Sequence, residues 1–389
     1  MEAPQDRMEA PQERMSRRTL LAAGIAGLGG MLACRVGSPE GPTSAPAPPE
    51  GGLVIRNARP LDAEAPLAQL RSFLTPNEHF FVRSHFGPPT TLPSQWTLTI
   101  DGAVKQPVTL TLAEIRKLNA ATQTITTECA GNGRGNFRLP KTAGVQWQYG
   151  AVSTARWTGV PLGVVLEQAQ LTPDARHLWM EGLDQAPIAK VPKFIRSIPA
   201  DLALNAAFLA WEMNGSPIPL LHGGPLRLLT LGWFGMASTK WLTHIHARPA
   251  VSDNFFMATA YRFADGSPVE RLRVKSLITA PLADERLRTG KVRVAGQAWS
   301  GLGSGGIKSV EVSLDDGQTW QPTRLTGQEY PYAWRSWESE IQIATPGPKR
   351  LLARATDRSG SVQPRRADPN PGGFGNNSMP EVGFDATQA

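Results

Sequence analysis

A predicted strand that ends in a glycine-rich bend constrains this chain more than any other feature. Residues 122–125, TQTI, are rich in β-branched side chains and predict a strand. Three glycines, Gly131, Gly133 and Gly135, follow within five residues of each other. Glycine lets the backbone approach a ligand closely and adopt a positive φ, so the segment predicts a ligand-binding loop at the end of a strand.

Cys129 and Arg134 give this bend its chemistry. The chain has two cysteines, and Cys129 is the one in its main body. A guanidinium beside a thiol favours the thiolate, so we expect Arg134 to lower the pKa of Cys129. Three interpretations are open: a buried cysteine before a turn, a phosphate-binding glycine loop, or a metal-bound thiolate. The phosphate loop is disfavoured because the G-x-G-x-x-G pattern is missing and Pro140 interrupts the helix that should follow.

The run 128–132, ECAGN, followed by Arg134, resembles the sulfite oxidase family of molybdopterin-dependent oxidoreductases. Matches of this kind continue from about Asn77 to the end of the chain, and the resemblance is to the bacterial, exported type without haem. It implies that Cys129 binds molybdenum in a molybdenum–molybdopterin cofactor (Mo-MPT). It also implies that Arg134 lies in the substrate pocket.

Residues 80–85, FFVRSH, carry a second match. Taken alone, this segment predicts a short strand whose basic end is a candidate anion site, with a solvated strand end as the alternative. The family has a Phe-x-Arg-Asn-His element here, and Ser84 replaces its asparagine. The resemblance implies cofactor contacts for Phe81, Val82, Arg83, Ser84 and His85. It also implies that Arg83 reaches the substrate.

Basic and hydroxyl side chains recur at the predicted loop–strand junctions between residues 181 and 242. Such groups suit a phosphate and a polar ring system, although each alone is more typical of a structural role. Their spacing from His222 to Lys240 matches that of family cofactor positions. The resemblance implies cofactor contacts for Asp184, His222, Arg227, Ser238, Thr239 and Lys240, and catalytic positions for Trp147 and Tyr261 beside Arg83 and Arg134.

The hydrophobic patterns predict two domains of an α+β protein. The resemblance implies that residues 53–272 form a mixed α/β molybdopterin-binding domain of the sulfite oxidase type. From residue 273, short alternating segments are separated by Gly, Asp and Pro turns, which is typical of an antiparallel β-sandwich. The resemblance implies that residues 273–389 form an immunoglobulin-like domain that mediates a homodimer.

Residues 1–34 predict an export signal. Two nearly identical seven-residue segments, 1–7 and 8–14, precede Met15, which we expect to be the true first residue of the translated protein. Arg17 and Arg18 stand before a weakly apolar run that is too short for a transmembrane helix, a pattern typical of the twin-arginine route. We therefore expect the protein in the periplasm or cell envelope. Residues 31–34, MLAC, resemble a lipoprotein cleavage box, so a lipid on Cys34 is the only membrane contact that we expect. Residues 35–52 are rich in proline and glycine and predict a flexible tether.

Charge and composition narrow the class of partner. Lysine plus arginine outnumber the acidic residues by 40 to 33, yet no run of basic residues and no basic–aromatic pattern suggests nucleic-acid binding. A small anionic substrate suits this charge, and the resemblance implies sulfite, oxidised to sulfate by oxygen-atom transfer. The sequence contains no haem-binding segment, so we expect electrons to pass singly to a separate cytochrome c.

The carboxyl-terminal segment departs from the family. Enzymes that oxidise sulfite commonly have a further pocket arginine there. This chain has Asn376 and Asn377 in that segment, with Arg365 and Arg366 a little earlier as candidate substitutes. The departure keeps the identity of the substrate open.

Three alternative functions follow from these patterns. A molybdopterin-dependent reductase of sulfoxides or another small oxo-compound would keep the cofactor and change the chemistry. A cysteine hydrolase would pair Cys129 with His85 or His222 as its base. An exported binding protein would bind a partner through its immunoglobulin-like domain and would catalyse no reaction.

Overall fold

The computed structural model describes residues 52–137, 141–303 and 306–388. The predicted export signal, the lipid on Cys34 and the tether up to residue 51 lie outside these residues. No helix in the described part is long and apolar enough to cross a membrane. Strand is the main regular secondary structure of the described chain, accompanied by three short α-helices, so the finer label α+β stays a prediction.

Twelve strands and three α-helices form the first part of the described chain, and a π-helical turn at Phe256–Ala260 follows them. The helices are α1 (Leu112–Ile115), α2 (Leu162–Ala169) and α3 (Ala200–Ala206). The strands are β1 (Val54–Ala58), β2 (Leu61–Glu64), β3 (Thr97–Gly102), β4 (Val108–Thr111), β5 (Ala121–Glu128), β6 (Val152–Pro161), β7 (His177–Gly182), β8 (Ile195–Pro199), β9 (Ala207–Met213), β10 (Ser216–Pro217), β11 (Arg227–Thr230) and β12 (Leu242–Arg248).

Two five-stranded sheets organise this first part. One has the order β10-β9-β6-β5, with β11 also paired to β9, and the other has the order β4-β3-β12-β7-β8. Strand β12 runs parallel to β3 and antiparallel to β7. Side chains from both sheets and from α2 pack into one core, which includes Leu98, Val165, Leu178, Leu228 and Ile245.

Nine further strands form two sheets that pack on each other. Their orders are β13-β15-β19-β18 and β14-β21-β20-β16-β17. Val294 and Trp337 from the first sheet share a core with Val310 and Leu351 from the second. The strands are β13 (Lys275–Ala280), β14 (Arg286–Arg288), β15 (Gly290–Trp299), β16 (Ile307–Ser313), β17 (Gln321–Pro322), β18 (Arg324–Thr326), β19 (Arg335–Ile343), β20 (Gly347–Asp357) and β21 (Glu381–Thr387).

Local sequence signals account for the elements around the cysteine. The predicted strand before the bend is confirmed as β5, which pairs along its full length with β6. Gly133 adopts a φ of +86°, which turns the chain directly after Cys129. A side chain at Gly131 would meet the guanidinium of Arg134, with a Cβ only 2.7 Å from its nearest nitrogen. Two of the glycines are therefore required by turn geometry and by close packing.

The strand predicted over residues 80–85 is wrong. Only Val82 pairs with another backbone, in an isolated bridge to Ala63. The N–H groups of Phe80 and Phe81 donate to Asn77 O and to Ser153 Oγ instead of to a neighbouring strand. The segment instead runs as an irregular connection that brings its basic end to a cavity.

Candidate active site

Cys129 lies directly after β5 on the wall of a cavity. Its backbone N–H donates to Ala151 O at 2.9 Å, and its carbonyl accepts from the N–H of Asn132 at 2.9 Å, so the backbone on both sides is fixed. The cavity wall combines aromatic and apolar side chains with basic and hydroxyl groups. The residues that line it are Phe80, Phe81, Arg83, Ser84, His85, Thr127, Cys129, Ala130, Asp184, Phe194, Arg227, Gly235, Met236, Ser238, Thr239, Lys240, Trp241 and Tyr261.

Most of the residues predicted from the sequence meet at this cavity. Arg83, Ser84 and His85 come from the irregular 80–85 segment, Asp184 follows β7, and Arg227 begins β11. Val82 and His222 are buried beside it without forming part of its wall. The members that do line it are Phe81, Arg83, Ser84, His85, Cys129, Asp184, Arg227, Ser238, Thr239, Lys240 and Tyr261.

Trp147 and Arg134 do not lie on the cavity wall. Trp147 is 1% exposed and packs in a core cluster that also contacts the side chain of Cys129. Arg134 donates from Nε to Gly372 O at 3.0 Å and from Nη1 to Val145 O at 2.9 Å. The geometry therefore places Arg134 beneath the cysteine bend, where it links two loops.

One end of the cavity carries two buried cations, Arg227 and Lys240, that form no direct ion pair with any described residue. Arg227 Nη1 donates to His222 O at 2.7 Å, and Lys240 Nζ donates to Leu221 O at 2.6 Å. Burial lowers the pKa of Lys240 to about 7 and that of Arg227 to about 9. These lowered pKa values mean that burial destabilises the charged forms of Lys240 and Arg227, and a bound anion would stabilise them.

The donor set at this end fits a phosphate-bearing pterin cofactor. Several buried polar atoms have no hydrogen-bond partner in the described structure, and they include His222 Nδ1, Arg227 Nε and Thr239 Oγ1. Unsatisfied buried donors cost stability unless a ligand completes them. Asp184 lines the same end, and burial raises its pKa to about 6. Together with the Cys129 thiol on the wall of the same cavity, these atoms suit a molybdenum–molybdopterin cofactor.

A chain of hydrogen bonds links Asp62 to Tyr261 at the opposite end. Arg83 Nη1 lies 3.1 Å from Asp62 Oδ1, and Arg83 Nη2 lies 3.2 Å from His85 Nδ1. His85 Nε2 lies 2.8 Å from the Tyr261 hydroxyl oxygen. Arginine can only donate, so Nδ1 of His85 must accept and the ring proton must sit on Nε2. His85 then donates to Tyr261, which leaves the Tyr261 hydroxyl proton free for another acceptor.

The pKa values of His85 and Tyr261 agree with this direction of hydrogen bonding, from Arg83 to His85 and from His85 to Tyr261. Burial, reinforced by the charges of Arg83 and Arg196, lowers the pKa of His85 well below 6.5, so the ring is neutral. Burial raises the pKa of Tyr261, so its hydroxyl keeps its proton at neutral pH. Tyr261 is therefore a hydrogen-bond donor on the cavity wall.

The expected low pKa of the Cys129 thiol is not found. Burial raises it above 9.0, and the opposing charges of Arg83 and Arg134 do not overcome that effect. In the protein without a metal ion, the thiol form is favoured.

The cysteine bend is also tied to the second part of the chain through a buried ion pair. Glu128 Oε1 accepts from Lys275 Nζ at 2.8 Å, and Glu128 Oε2 accepts from Trp299 Nε1 at 2.9 Å. Both charged side chains are 3% exposed. Asn132 adds a further donor to Glu128 Oε1 at 2.9 Å. Glu128 is thus fixed by three donors next to the cysteine.

The carboxyl-terminal segment reaches the same bend, but its arginines do not. The N–H of Gly375 donates to Ala130 O at 2.8 Å, and Asn376 Nδ2 donates to Gly133 O at 2.8 Å. Arg365 forms an ion pair with Asp316 at 2.5 Å, and Arg366 is exposed. The hypothesis that these two arginines substitute for a pocket arginine is therefore wrong, because neither lines the cavity.

The geometry disfavours a cysteine–histidine dyad. Both ring nitrogens of His85 are engaged, by Arg83 and by Tyr261. His222 Nε2 lies 3.0 Å from Asn77 O, and burial lowers the pKa of His222 to about 3. Neither histidine forms a hydrogen bond with Cys129 in the described structure, so neither is placed to act as its base.

The sequence reasoning missed several residues at or near the site, and four of them bear on its chemistry. Phe194 and Met236 line the cavity, Asp62 pairs with Arg83, and Arg196 lies behind Tyr261. Phe194 and Met236 look like ordinary core residues in sequence. Asp62 and Arg196 become significant only through contacts with residues far away in the chain.

Comparison with known proteins places this cavity in a family. Residues 85–256 match the family described as "Oxidoreductase molybdopterin binding domain", and residues 267–382 match the "Mo-co oxidoreductase dimerisation domain". The chain is 34% identical to the sulfite oxidase of Gallus gallus over 355 residues, which cover 85% of this chain and 77% of that protein. It is also 34% identical to the mitochondrial sulfite oxidase of Homo sapiens over 343 residues, 82% of this chain but 62% of that protein.

A solved structure extends the comparison. The sulfane dehydrogenase SoxCD from Paracoccus pantotrophus superposes with a TM-score of 0.74 and 27% sequence identity, over 88% of this chain and 92% of that one. This chain belongs to the sulfite oxidase family of molybdopterin-binding oxidoreductases. It is a molybdenum-dependent oxidoreductase.

Proposed function

We propose that this protein oxidises sulfite to sulfate. The observation that carries the proposal is a single cavity whose wall holds Cys129, the buried cations Arg227 and Lys240, and the hydrogen-bonded Arg83, His85 and Tyr261. The cofactor, when bound, supplies oxygen-atom transfer and accepts two electrons. Sulfite and water yield sulfate, two protons and two electrons, so the reaction balances.

The chain's own residues bind and orient the anion. Arg83 presents a guanidinium to the cavity wall, where charge-assisted hydrogen bonds to an oxyanion contribute roughly 1.5–3 kcal/mol each. Tyr261 donates its free proton to a substrate oxygen, because His85 already donates to the hydroxyl oxygen. Phe194 packs against His85 with ring centroids 4.7 Å apart and limits the entry of water at this end.

Cys129 would bind molybdenum, and the far end of the cavity would hold the pterin and its phosphate. The groups proposed as cofactor ligands there are Asp184, His222, Arg227, Ser238, Thr239 and Lys240. Their support is the set of unsatisfied donors and destabilised cations described above. Phe81, Val82, Ser84 and His85 would cover the cofactor from the opposite side.

The protein is further proposed to work as a homodimer after export by the twin-arginine route to the periplasm, with a separate cytochrome c as electron acceptor. The match of residues 267–382 to a dimerisation domain supports the homodimer. The twin arginines before a weakly apolar run support the export route.

A second candidate is oxidation of sulfane sulfur. The overlap with SoxCD over 92% of that chain favours it. The carboxyl-terminal segment also favours it, since among its described residues none supplies a cation to the cavity wall. A sulfane substrate would need less positive charge than a sulfite dianion.

Purified exported protein from a molybdenum-replete host tests these functions. We expect about one molybdenum per chain by elemental analysis, and sulfite-dependent reduction of cytochrome c. An alkyl persulfide, which carries one negative charge and a terminal sulfane sulfur, tests the second candidate in the same assay, and methionine sulfoxide with a reduced dye tests the reductase. Metal-loaded protein that reduces methionine sulfoxide and ignores sulfite would contradict the proposal.

A further inference from the structure

Arg196 is a buried cation that the proposed mechanism does not use. It lies in β8 and is 1% exposed. Its Cζ is 5.2 Å from the centroid of the Tyr261 ring. Because Tyr261 lines the cavity, the Arg196 guanidinium lies directly behind the wall at the substrate end.

The charge of Arg196 is poorly compensated. Its Nη1 donates to the backbone oxygen of Phe256, and its Nε has no hydrogen-bond partner in the described structure. Glu270 acts on it only through longer-range electrostatics, and Arg262 opposes that effect. Burial lowers the pKa of Arg196 to about 10, so it stays charged at neutral pH. A buried charge without a counterion is costly, which points to an anion that is present only in the working protein.

Other cations near Tyr261 are already engaged. Arg83 forms an ion pair with the buried carboxylate of Asp62 at 3.1 Å. Arg134 gives two of its donors to backbone carbonyls and does not line the cavity. Arg196 is therefore the least compensated of the three guanidinium groups around this tyrosine.

We propose that Arg196 is a positioning residue for charge selection: acting through the Tyr261 wall, it favours doubly charged oxyanions at the substrate end. The inference rests on the proposed function, because it assumes an oxyanion beside Tyr261. The bond from Arg196 to Phe256 O holds the π-helical turn that precedes Tyr261, so the same side chain fixes the ring. A Coulombic contribution scales with the charge of the ligand, whereas lost packing does not.

The test compares two anions that differ in charge. Calorimetry on the oxidised, molybdenum-loaded protein would measure the affinity for sulfate, a dianion, and for methanesulfonate, a monoanion. We expect Arg196→Met to weaken sulfate about tenfold and methanesulfonate about threefold, the square root of that factor. The KM for sulfite should rise about tenfold, with kcat within about twofold of wild type.

Two further variants serve as controls. Arg196→Lys keeps the charge and should recover most of the sulfate affinity. Arg262→Met removes a nearby arginine that bonds to the backbone oxygen of Gly266 and should leave both affinities within about twofold. If Arg196→Met does not fold, Arg196→Gln, which keeps a donor for Phe256 O, should show the same graded loss.

Equal weakening of the two anions would overturn the inference, because it would indicate a packing role. Unchanged affinities in a folded, metal-loaded variant would overturn it as well. Wild-type protein that binds sulfate but does not oxidise sulfite would contradict the proposed function. The comparison of sulfate and methanesulfonate affinities would still test the role of Arg196 in that case. Wild-type protein that binds neither anion would contradict both.

Discussion

The series of hydrogen bonds from Asp62 through Arg83 and His85 to Tyr261 depends on the chemistry of each residue. Only a side chain that cannot accept, such as arginine, forces the adjacent nitrogen of His85 to accept. That choice of tautomer makes Tyr261 a donor to whatever lies in the cavity. A lysine in place of Arg83 would supply charge but not two donors in a fixed plane.

We predict that Tyr261→Phe lowers kcat/KM for sulfite by about tenfold or more, because one neutral or charge-assisted hydrogen bond to the substrate is lost. Steady-state reduction of cytochrome c would measure the change. Tyr330→Phe is the matched control, since the Tyr330 hydroxyl bonds to Gln328 at 3.0 Å on the surface. A Tyr261→Phe enzyme as fast as wild type would show that the tyrosine hydroxyl does not contact the reacting anion.

Strands β3, β7 and β12 hold a histidine between two carboxylates on a partly exposed face of their sheet. His246 Nδ1 lies 2.7 Å from Asp101 Oδ1, and its Nε2 lies 3.7 Å from Glu181 Oε2. Glu181 and Asp101 raise the pKa of His246 above 6.5. The charged histidine therefore stabilises the fold below about pH 6.5, and this contribution is lost as the pH rises through the folded-state pKa.

We therefore predict that His246→Asn destabilises the protein more at pH 5.5 than at pH 8.5. Urea unfolding of wild type and variant at the two pH values would measure the difference. In the background Asp101→Asn plus Glu181→Gln, the same comparison should lose its pH dependence. A difference that grows with pH would have the wrong sign for this account.

Sequence patterns predicted the elements with strong local signals. Strand β5 and the glycine bend follow from residues close together in the chain. The irregular path of residues 80–85 could not be predicted, since consecutive buried aromatic residues are compatible with a strand. The partners of Glu128 could not be predicted either, because Lys275 is 147 residues away.

The two arginines that were predicted at the substrate also show what local sequence can and cannot predict. Motif matching predicted both Arg83 and Arg134 at the substrate, but a motif contains no information about which carbonyls will satisfy a guanidinium. Arg134 is held by Val145 O and Gly372 O, one of them from the far end of the chain. Long-range contacts therefore decided which of the predicted residues reach the cavity.

At the scale of the whole molecule, the cysteine bend joins the two sheet-containing parts. Besides the Glu128–Lys275 pair, the N–H of Thr126 donates to Tyr332 O at 2.8 Å, and the N–H of Trp334 donates to Thr126 Oγ1 at 2.7 Å. Gln297 Nε2 also donates to Leu70 O at 3.1 Å. We infer that the two parts unfold as one cooperative unit.

We predict that Lys275→Met destabilises the protein by about 3–5 kcal/mol, because it leaves the buried carboxylate of Glu128 without its cation. Denaturant unfolding followed by tryptophan fluorescence would measure the loss and would show whether one transition separates into two. Lys291→Met is the control, since its ion pair with Glu340 is on the surface, where the side chains are 74% and 59% exposed. Equal stability of the two variants would contradict a structural role for the buried pair.

The hydrogen bonds from Gly375 and Asn376 to the cysteine bend have a consequence for biosynthesis. Gly375 and Asn376 are translated some 240 residues after the bend that they hold. The bend therefore gains these two bonds only after residues 375 and 376 have been synthesised. We expect the metal to enter after that point, and a chain cut before residue 370 to bind little molybdenum.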